Sequence, residues 1–348
     1  MLDVSDHVRA GRHQGTTVVN DPDSDRMRRA IAVAATARLR TSPNPWVGCV
    51  IVSPDGATFE GATSAPGGPH AEVSALAAAG DRARGATLYT TLEPCSHHGR
   101  TPPCTEAIQL AGIARVVVGV EDPDPHVAGR GMAQLRQGGV SVTTGVLAHE
   151  VAEQLAPYLH QRRTGRPFVV LKLASTLDGR TAAPDGTSRW ITSHEARAAV
   201  HQLRAESDAV CVGRGTVRRD DPSLTVRHVT GPDPRRVVLG DAPVGAAVHP
   251  CTTWKGALTE LLDSLGRDGV LQLLVEGGAG VAADFHRARL VNRYVLHLAP
   301  AFFGGDNARG LFTGAGADTI ADIWRGRIRS TRVLGPDLEV VVDAADAP

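Results

Sequence analysis

The sequence predicts an α/β protein made of two layered domains in succession, and three observations carry that expectation. Strand-sized apolar runs alternate with Ala- and Leu-rich stretches of helical spacing along most of the chain. The alternation breaks once, where a helical stripe ends in Arg162-Arg163-Thr164-Gly165-Arg166-Pro167. The 348 residues, 42% of them hydrophobic, are enough to bury two ordinary cores.

The elements follow in order. Residues 1–24 are polar and rich in Asp and Arg, so a loose tail is expected, with neither a signal peptide nor a membrane span. Residues 25–147 read as the first domain. It contains a helix over Arg26–Arg38, a strand over Val47–Val52, the turn Pro54-Asp55-Gly56 and a hairpin partner over Ala57–Ala62. A helix opened by His70 runs to Ala79, and the strand Ala86–Leu92 leads into Glu93-Pro94-Cys95. Cys104 begins a helix ended by Gly112, before strand Arg115–Val120, helix Met132–Gln137 and strand Val140–Thr144. Residues 148–166 form a linker helix with Val151, Leu155 and Leu159 on one face. Residues 167–345 form the second domain. Its expected strands are Phe168–Ala174, Asp208–Val212, Arg236–Leu239, Val270–Val275, Tyr294–Leu298, Ile328–Leu334 and Leu338–Val342. Helices are expected over Ser193–Glu206, Ala257–Leu265 and Val281–Arg289, giving a mixed sheet with parallel crossovers.

Composition narrows the function. Lys plus Arg equals Asp plus Glu at 37 each, so no global field draws the chain to nucleic acid or an acidic membrane. Two of the five cysteines, Cys95 and Cys104, have a metal-ligand setting; Cys49, Cys211 and Cys251 are scattered without a disulfide framework, which suits a reducing cytoplasm.

The chemistry is concentrated between Pro69 and Cys104. His70, Cys95 and Cys104 offer one imidazole and two thiolates, a strong zinc donor set of three that leaves the fourth tetrahedral position open. Zinc in such a site lowers the pKa of water to about 7, and Glu72, two residues from His70, is placed to carry protons as the catalytic group. His-x-Glu followed by Pro-Cys and a second Cys is the pattern of zinc-dependent base deaminases. Here eight residues separate the cysteines instead of two, and a structural zinc closed by His97 or His98 is the competing reading. Both metal-binding segments fall at helix N-termini, where the macrodipole favours thiolate.

In the second half, Glu276-Gly277-Gly278-Ala279-Gly280 joins a strand to a helix, as a phosphate cradle does and as an ordinary βα turn also does. Gly213-Arg214-Gly215-Thr216 is equally ambiguous. Lys172 is one of two lysines beside 35 arginines and sits in an apolar run, either functional or facing solvent from an edge strand. Asp220 before Asp221-Pro222 reads as a loop cap or a site residue. Arg204 and Arg227 are either phosphate ligands or surface arginines, and Trp190 either stacks on a ring or fills core.

From about Asp25 to Val342 the chain resembles the bifunctional deaminase/reductase family of riboflavin biosynthesis. The matching stretches are Pro43-Asn44-Pro45-Trp46-Val47-Gly48-Cys49-Val50-Ile51-Val52, Pro69-His70-Ala71-Glu72-Val73 and Thr91 through Cys104 in the first half. In the second they are Leu171 through Arg180, Trp190-Ile191-Thr192-Ser193, Gly215-Thr216-Val217, Asp220-Asp221-Pro222 and Val275-Glu276-Gly277-Gly278. Ser74 and Gly240-Asp241 depart from the family pattern. The resemblance implies a three-layer domain like cytidine deaminase, followed by an α/β domain like dihydrofolate reductase. It implies one zinc per chain held by His70, Cys95 and Cys104, deamination of a phosphorylated diaminopyrimidinone ribosylamine, and NADPH-dependent reduction of its ribosyl group to ribityl. Ala174, Trp190, Thr216, Asp220, Gly278, Ala279, Gly280, Val281, Ala282, Ala283 and Asp284 would contact NADPH. Ser188, Arg204, Leu224, Arg227 and Glu276 would contact the phosphorylated substrate, with Lys172 and Asp220 as polar groups beside the reacting carbon. A cytoplasmic homodimer or homotetramer is the implied assembly. A zinc deaminase for another nucleobase and a non-catalytic nucleotide-binding relative are the alternatives.

Overall fold

The computed structural model describes residues 21–98 and 102–344. Its first helix, α1 (Pro22–Ala35), corrects the tail boundary: residues 22–24 form its first turn, and residues 1–20 lie outside the described residues. Asp21 caps it by accepting from the Asp23 N–H, Pro22 occupies the first turn where no N–H is needed, and Asp23 and Asp25 complement the positive end of the dipole.

The first domain continues with β1 (Gly48–Val52), β2 (Thr58–Ala62), α2 (Ala71–Ala79), β3 (Thr87–Leu92), α3 (Cys104–Leu110), β4 (Arg115–Val120), α4 (Arg130–Gln137) and β5 (Ser141–Thr144). The sheet order is β2-β1-β3-β4-β5, antiparallel on both sides of β1 and parallel from β3 to β5. Two glycines show why helices fit on both faces. A Cβ on Gly48 would stand 2.0 Å from the Ala30 carbonyl of α1, and one on Gly61 would stand 2.3 Å from the Ala71 carbonyl of α2. Gly61 pairs with Cys49, the neighbour of Gly48, so the two glycines face opposite sides of the pleat and admit α1 and α2 to opposite faces.

The expected single linker helix is two, α5 (Ala148–Gln154) and α6 (Ala156–Thr164). Pro157, in the first turn of α6, has no N–H to continue the ladder from α5, so the helix restarts there. Val151, Leu155 and Leu159 are buried in the first core as the stripe predicts.

The second domain comprises β6 (Phe168–Thr176), β7 (Arg180–Ala182), α7 (His194–Ala205), β8 (Ala209–Gly213), α8 (Arg214–Asp220), β9 (Arg235–Leu239) and β10 (Thr252–Trp254). It continues with α9 (Leu258–Arg267), β11 (Gln272–Val275), α10 (Ala279–Arg287), β12 (Arg293–Ala299), β13 (Arg309–Gly310), β14 (Gly326–Leu334) and β15 (Asp337–Ala344). Eight strands form one mixed sheet, β10-β9-β8-β11-β6-β12-β15-β14, parallel from β10 through β12. β8 and β11 are buried at every position, as parallel strands covered on both faces must be. Gly213 to Thr216 is a strand-to-helix turn, with α8 beginning at Arg214 directly after β8. One expectation changes here. Lys172 is on β6 in the middle of the sheet, between β11 and β12, and not on an edge.

Candidate functional site

Three segments converge at one end of the first sheet. His70 caps α2, Cys95 follows β3, and Cys104 is the first residue of α3. His70 Nδ1 stands 3.3 Å from Cys104 Sγ and 3.6 Å from Cys95 Sγ, and the Cys104 backbone N–H donates to Cys95 Sγ at 3.4 Å. A zinc ion with N at about 2.0 Å and S at about 2.3 Å in a tetrahedron sets its ligands roughly 3.6 Å apart, so this donor set fits the metal. Among the described residues the cluster has three members. Neither residue of the competing reading joins the cluster: His98 is exposed and stands 3.8 Å from Glu106, and His97 lines the adjoining cavity without entering the donor set. Gly99, Arg100 and Thr101 of the quoted stretch lie outside the described residues.

Glu72 sits in the first turn of α2 beside the trio and is 4% exposed. Burial, reinforced by the negative charge on Cys95, pushes its carboxyl up to about 7, near the poise a group needs to take and return a proton at neutral pH. Hydrogen bonding from Cys104, and after it from His70, holds the Cys95 thiol well below its usual range, so a thiolate is favoured there.

These groups open onto a cavity of about 430 Å³. Pro43, Asn44 and Pro45 form one wall, and Tyr158 and Arg162 of α6 form another. Tyr158 Oη donates to the buried Asp122 carboxylate at 3.0 Å. Sequence reading missed Glu93, which organises the Cys95 loop: its carboxylate accepts from the N–H groups of Gly129 (3.0 Å), Met132 (3.2 Å) and Asp122 (3.3 Å). A Glu beside Pro-Cys was the available signal.

A second, smaller cavity of about 180 Å³ lies at the C-terminal ends of the parallel strands of the second sheet. It brings together Lys172, Ala174, Ser188, Thr216, Asp220, Glu276, Gly278 and Ala279. Burial holds the Lys172 ammonium below its usual range while nearby Glu276 opposes that shift. The turn is open where a nucleotide needs it: a Cβ on Gly278 would meet only Thr216 Oγ1, at 3.6 Å. Arg219 and Arg309 also line the cavity, and nothing in an arginine-rich sequence singled them out. An open Gly turn beside two guanidiniums and a lysine suits a phosphate-bearing cofactor such as NADPH.

Other expected residues stand outside that cavity. Arg204 is engaged by Glu276 through two bonds, 2.6 and 2.7 Å, and by the Thr225 carbonyl at 3.2 Å. Arg227 is exposed and donates to Ser223 and Thr225, whereas Leu224 is 2% exposed and packs in the core. Trp190 neither lines the cavity nor fills core; it is 68% exposed with the Arg197 guanidinium 4.5 Å from its ring. On α10, Ala282 and Ala283 are buried toward the core, Asp284 pairs with Arg287, and Gly280 and Val281 do not line the cavity.

Comparison with known proteins accounts for both halves. Residues 20–120 match the family model "Cytidine and deoxycytidylate deaminase zinc-binding region", and residues 167–340 match "RibD C-terminal domain". The riboflavin biosynthesis protein RibD of Escherichia coli K12 is 40% identical over 90% of this chain and 96% of its own length. That of Bacillus amyloliquefaciens is 37% identical over 92% and 96%. Among solved structures, Acinetobacter baumannii RibD superimposes with a TM-score of 0.87 at 36% identity, over 92% of this chain and 98% of that one. The Thermotoga maritima diaminohydroxyphosphoribosylaminopyrimidine deaminase/5-amino-6-(5-phosphoribosylamino)uracil reductase gives 0.85 at 34% identity, over the same shares. With a zinc deaminase half and a reductase half in one polypeptide, matched over nearly the full length of these relatives, the chain belongs to the RibD family of bifunctional riboflavin-biosynthesis enzymes.

Proposed function

We propose that the cavity at Glu72 hydrolyses the C2 amino group of 2,5-diamino-6-ribosylamino-4(3H)-pyrimidinone 5′-phosphate, and that the cavity at Lys172 then reduces its ribosyl group to ribityl with NADPH. The observation that carries the reading is the three-donor cluster with buried Glu72 beside it, on a chain whose second half holds a separate phosphate-competent cavity. Zinc, when bound by His70, Cys95 and Cys104, supplies Lewis acidity that lowers the pKa of water to about 7. Glu72 would carry both protons that the attacking water gives up, one to the ring nitrogen beside C2 and one to the departing amine, so that water enters and ammonia leaves. NADPH, when bound, supplies the hydride for C1′. Gly278, Ala279, Thr216, Ala174 and Asp220 hold the nucleotide, while Ser188 and Glu276 hold the sugar phosphate. Arg204 fixes the Glu276 carboxylate, and Lys172 orients the opened ribose.

Domain limits follow: a deaminase domain from residue 22 to 147, a two-helix junction over 148–166 and a reductase domain from 167 to about 345. Exposed Phe302, Ile320, Ile328 and Val333 on and before edge strand β14 support a homo-oligomer, dimer or tetramer. Among the described residues no helix is long and apolar enough to cross a membrane, and all five cysteines are free; both suit a cytoplasmic enzyme.

Gentle purification is expected to yield about one zinc per chain by elemental analysis; less than half an equivalent would contradict the ligand set. The cofactor carries its own test. NADPH should exceed NADH by at least about tenfold in kcat/KM for reduction, with Arg219 and Arg309 as the guanidiniums that line the cavity. Asp220→Asn should lower reduction while leaving zinc content and deamination unchanged. Equal specificity for the two cofactors refutes the first expectation, and unimpaired reduction removes Asp220 from the site.

A further inference from the structure

The wall of the deaminase cavity formed by Pro43, Asn44 and Pro45 belongs to the first domain in sequence but is braced from the second. It runs directly into Trp46, which is buried and carries the Arg38 guanidinium 3.5 Å from its ring centroid. Arg38 is itself held by reductase-half oxygens: its Nη2 donates to the Glu206 carbonyl at 3.1 Å and to Gln272 Oε1 at 2.9 Å. The Gln272 amide cannot turn freely, because its Nε2 donates to Ser207 Oγ at 2.9 Å. Pro43 packs against Gly269, the residue before Val270-Leu271-Gln272, with its Cβ 3.4 Å from where a Cβ on Gly269 would stand. Pro43 lines both the deaminase cavity and a cleft of about 400 Å³ between the two halves, so the brace and the wall share a residue.

We infer that Gln272 of the reductase half is a positioning residue for deamination, acting through Arg38 and Trp46 to hold the Pro43–Pro45 wall against the substrate. The braced wall contains only proline and asparagine and supplies neither a metal ligand nor a proton carrier. Its contribution is therefore to binding that is equal in ground state and transition state, and loosening it raises KM while leaving kcat. The inference rests on the Glu72 cavity being the deamination site.

The experiment measures four properties of the full-length chain: zinc content, deamination kcat and KM, and NADPH-dependent reduction of supplied aminouracil phosphate. Gln272→Met removes the acceptor for Arg38, Gln272→Glu keeps one, and Ser207→Ala removes the amide's other partner. Arg38→Lys keeps a cation but loses the planar stack. Gln272→Met and Arg38→Lys are each expected to raise deamination KM about tenfold with kcat within about twofold. Zinc and reduction should be unchanged, Gln272→Glu should restore KM to within about threefold, and Ser207→Ala, which frees the amide to turn, should raise KM by about threefold. If Gln272→Met does not fold, Arg38→Lys alone carries the same split. An unaltered KM in a variant that still deaminates overturns the brace, as does a parallel loss of reduction or of zinc. A rise shared equally by Gln272→Glu also overturns it. Absence of deamination by the wild-type chain would instead refute the assignment of the site itself.

Discussion

Glu72→Gln is expected to retain a full equivalent of zinc and lose about 10²- to 10⁴-fold in deamination turnover. The amide keeps the shape of the side chain in its buried position at the first turn of α2 but cannot carry protons. His70, Cys95 and Cys104 are untouched, so metal retention separates this outcome from collapse of the site. Reduction of supplied aminouracil should continue at the wild-type rate, because Glu72 belongs to the five-stranded sheet domain and the reductase cavity to the eight-stranded one. Turnover within about tenfold of wild type would give the carboxyl another role.

Cys95→Ser should go further on one activity and spare the other. A serine hydroxyl does not ionise to a soft anionic donor, so the cluster falls to one imidazole and one thiolate and zinc occupancy drops with deamination. The Cys95 loop has a second support in Glu93, whose carboxylate accepts three backbone N–H groups, so the fold should survive. Reduction of the supplied intermediate is expected within about twofold of wild type, given the separate second sheet and its own core. Loss of both activities from a folded Cys95→Ser chain would mean a composite site.

Much of this was legible in residue order. Both halves announced their alternation of strand and helix, and the zinc trio with Glu72 came together as read, because cap and first-turn positions place side chains with little freedom. What escaped was set by tertiary contact. Lys172 lies on a central strand because β11 and β12 flank β6, a pairing no local pattern encodes. The bidentate pairing of Arg204 with Glu276, 72 residues away, joins two of the expected substrate contacts and is a pairing no local pattern encodes. Leu224, Ala282 and Ala283 match the family pattern by position, and their side chains are buried. The break at Pro157 was present in the sequence as a proline without an N–H, and a regular apolar stripe across it concealed the restart. Glu93 went unremarked because its partners, Asp122, Gly129 and Met132, arrive from other elements.

The central claim is that one chain performs both steps, and a single coupled reaction tests it. The purified full-length protein is given the diaminopyrimidinone ribosylamine phosphate with NADPH, and the product is identified by mass. The expected product has exchanged one amino group for a carbonyl oxygen and gained two hydrogens on the sugar, a hydride at C1′ and a proton on the hydroxyl freed by ring opening, with ammonia released and NADPH consumed in equal amounts. Accumulation of the aminouracil with its ribosyl group intact, or recovery of unchanged substrate from zinc-loaded protein, would contradict it.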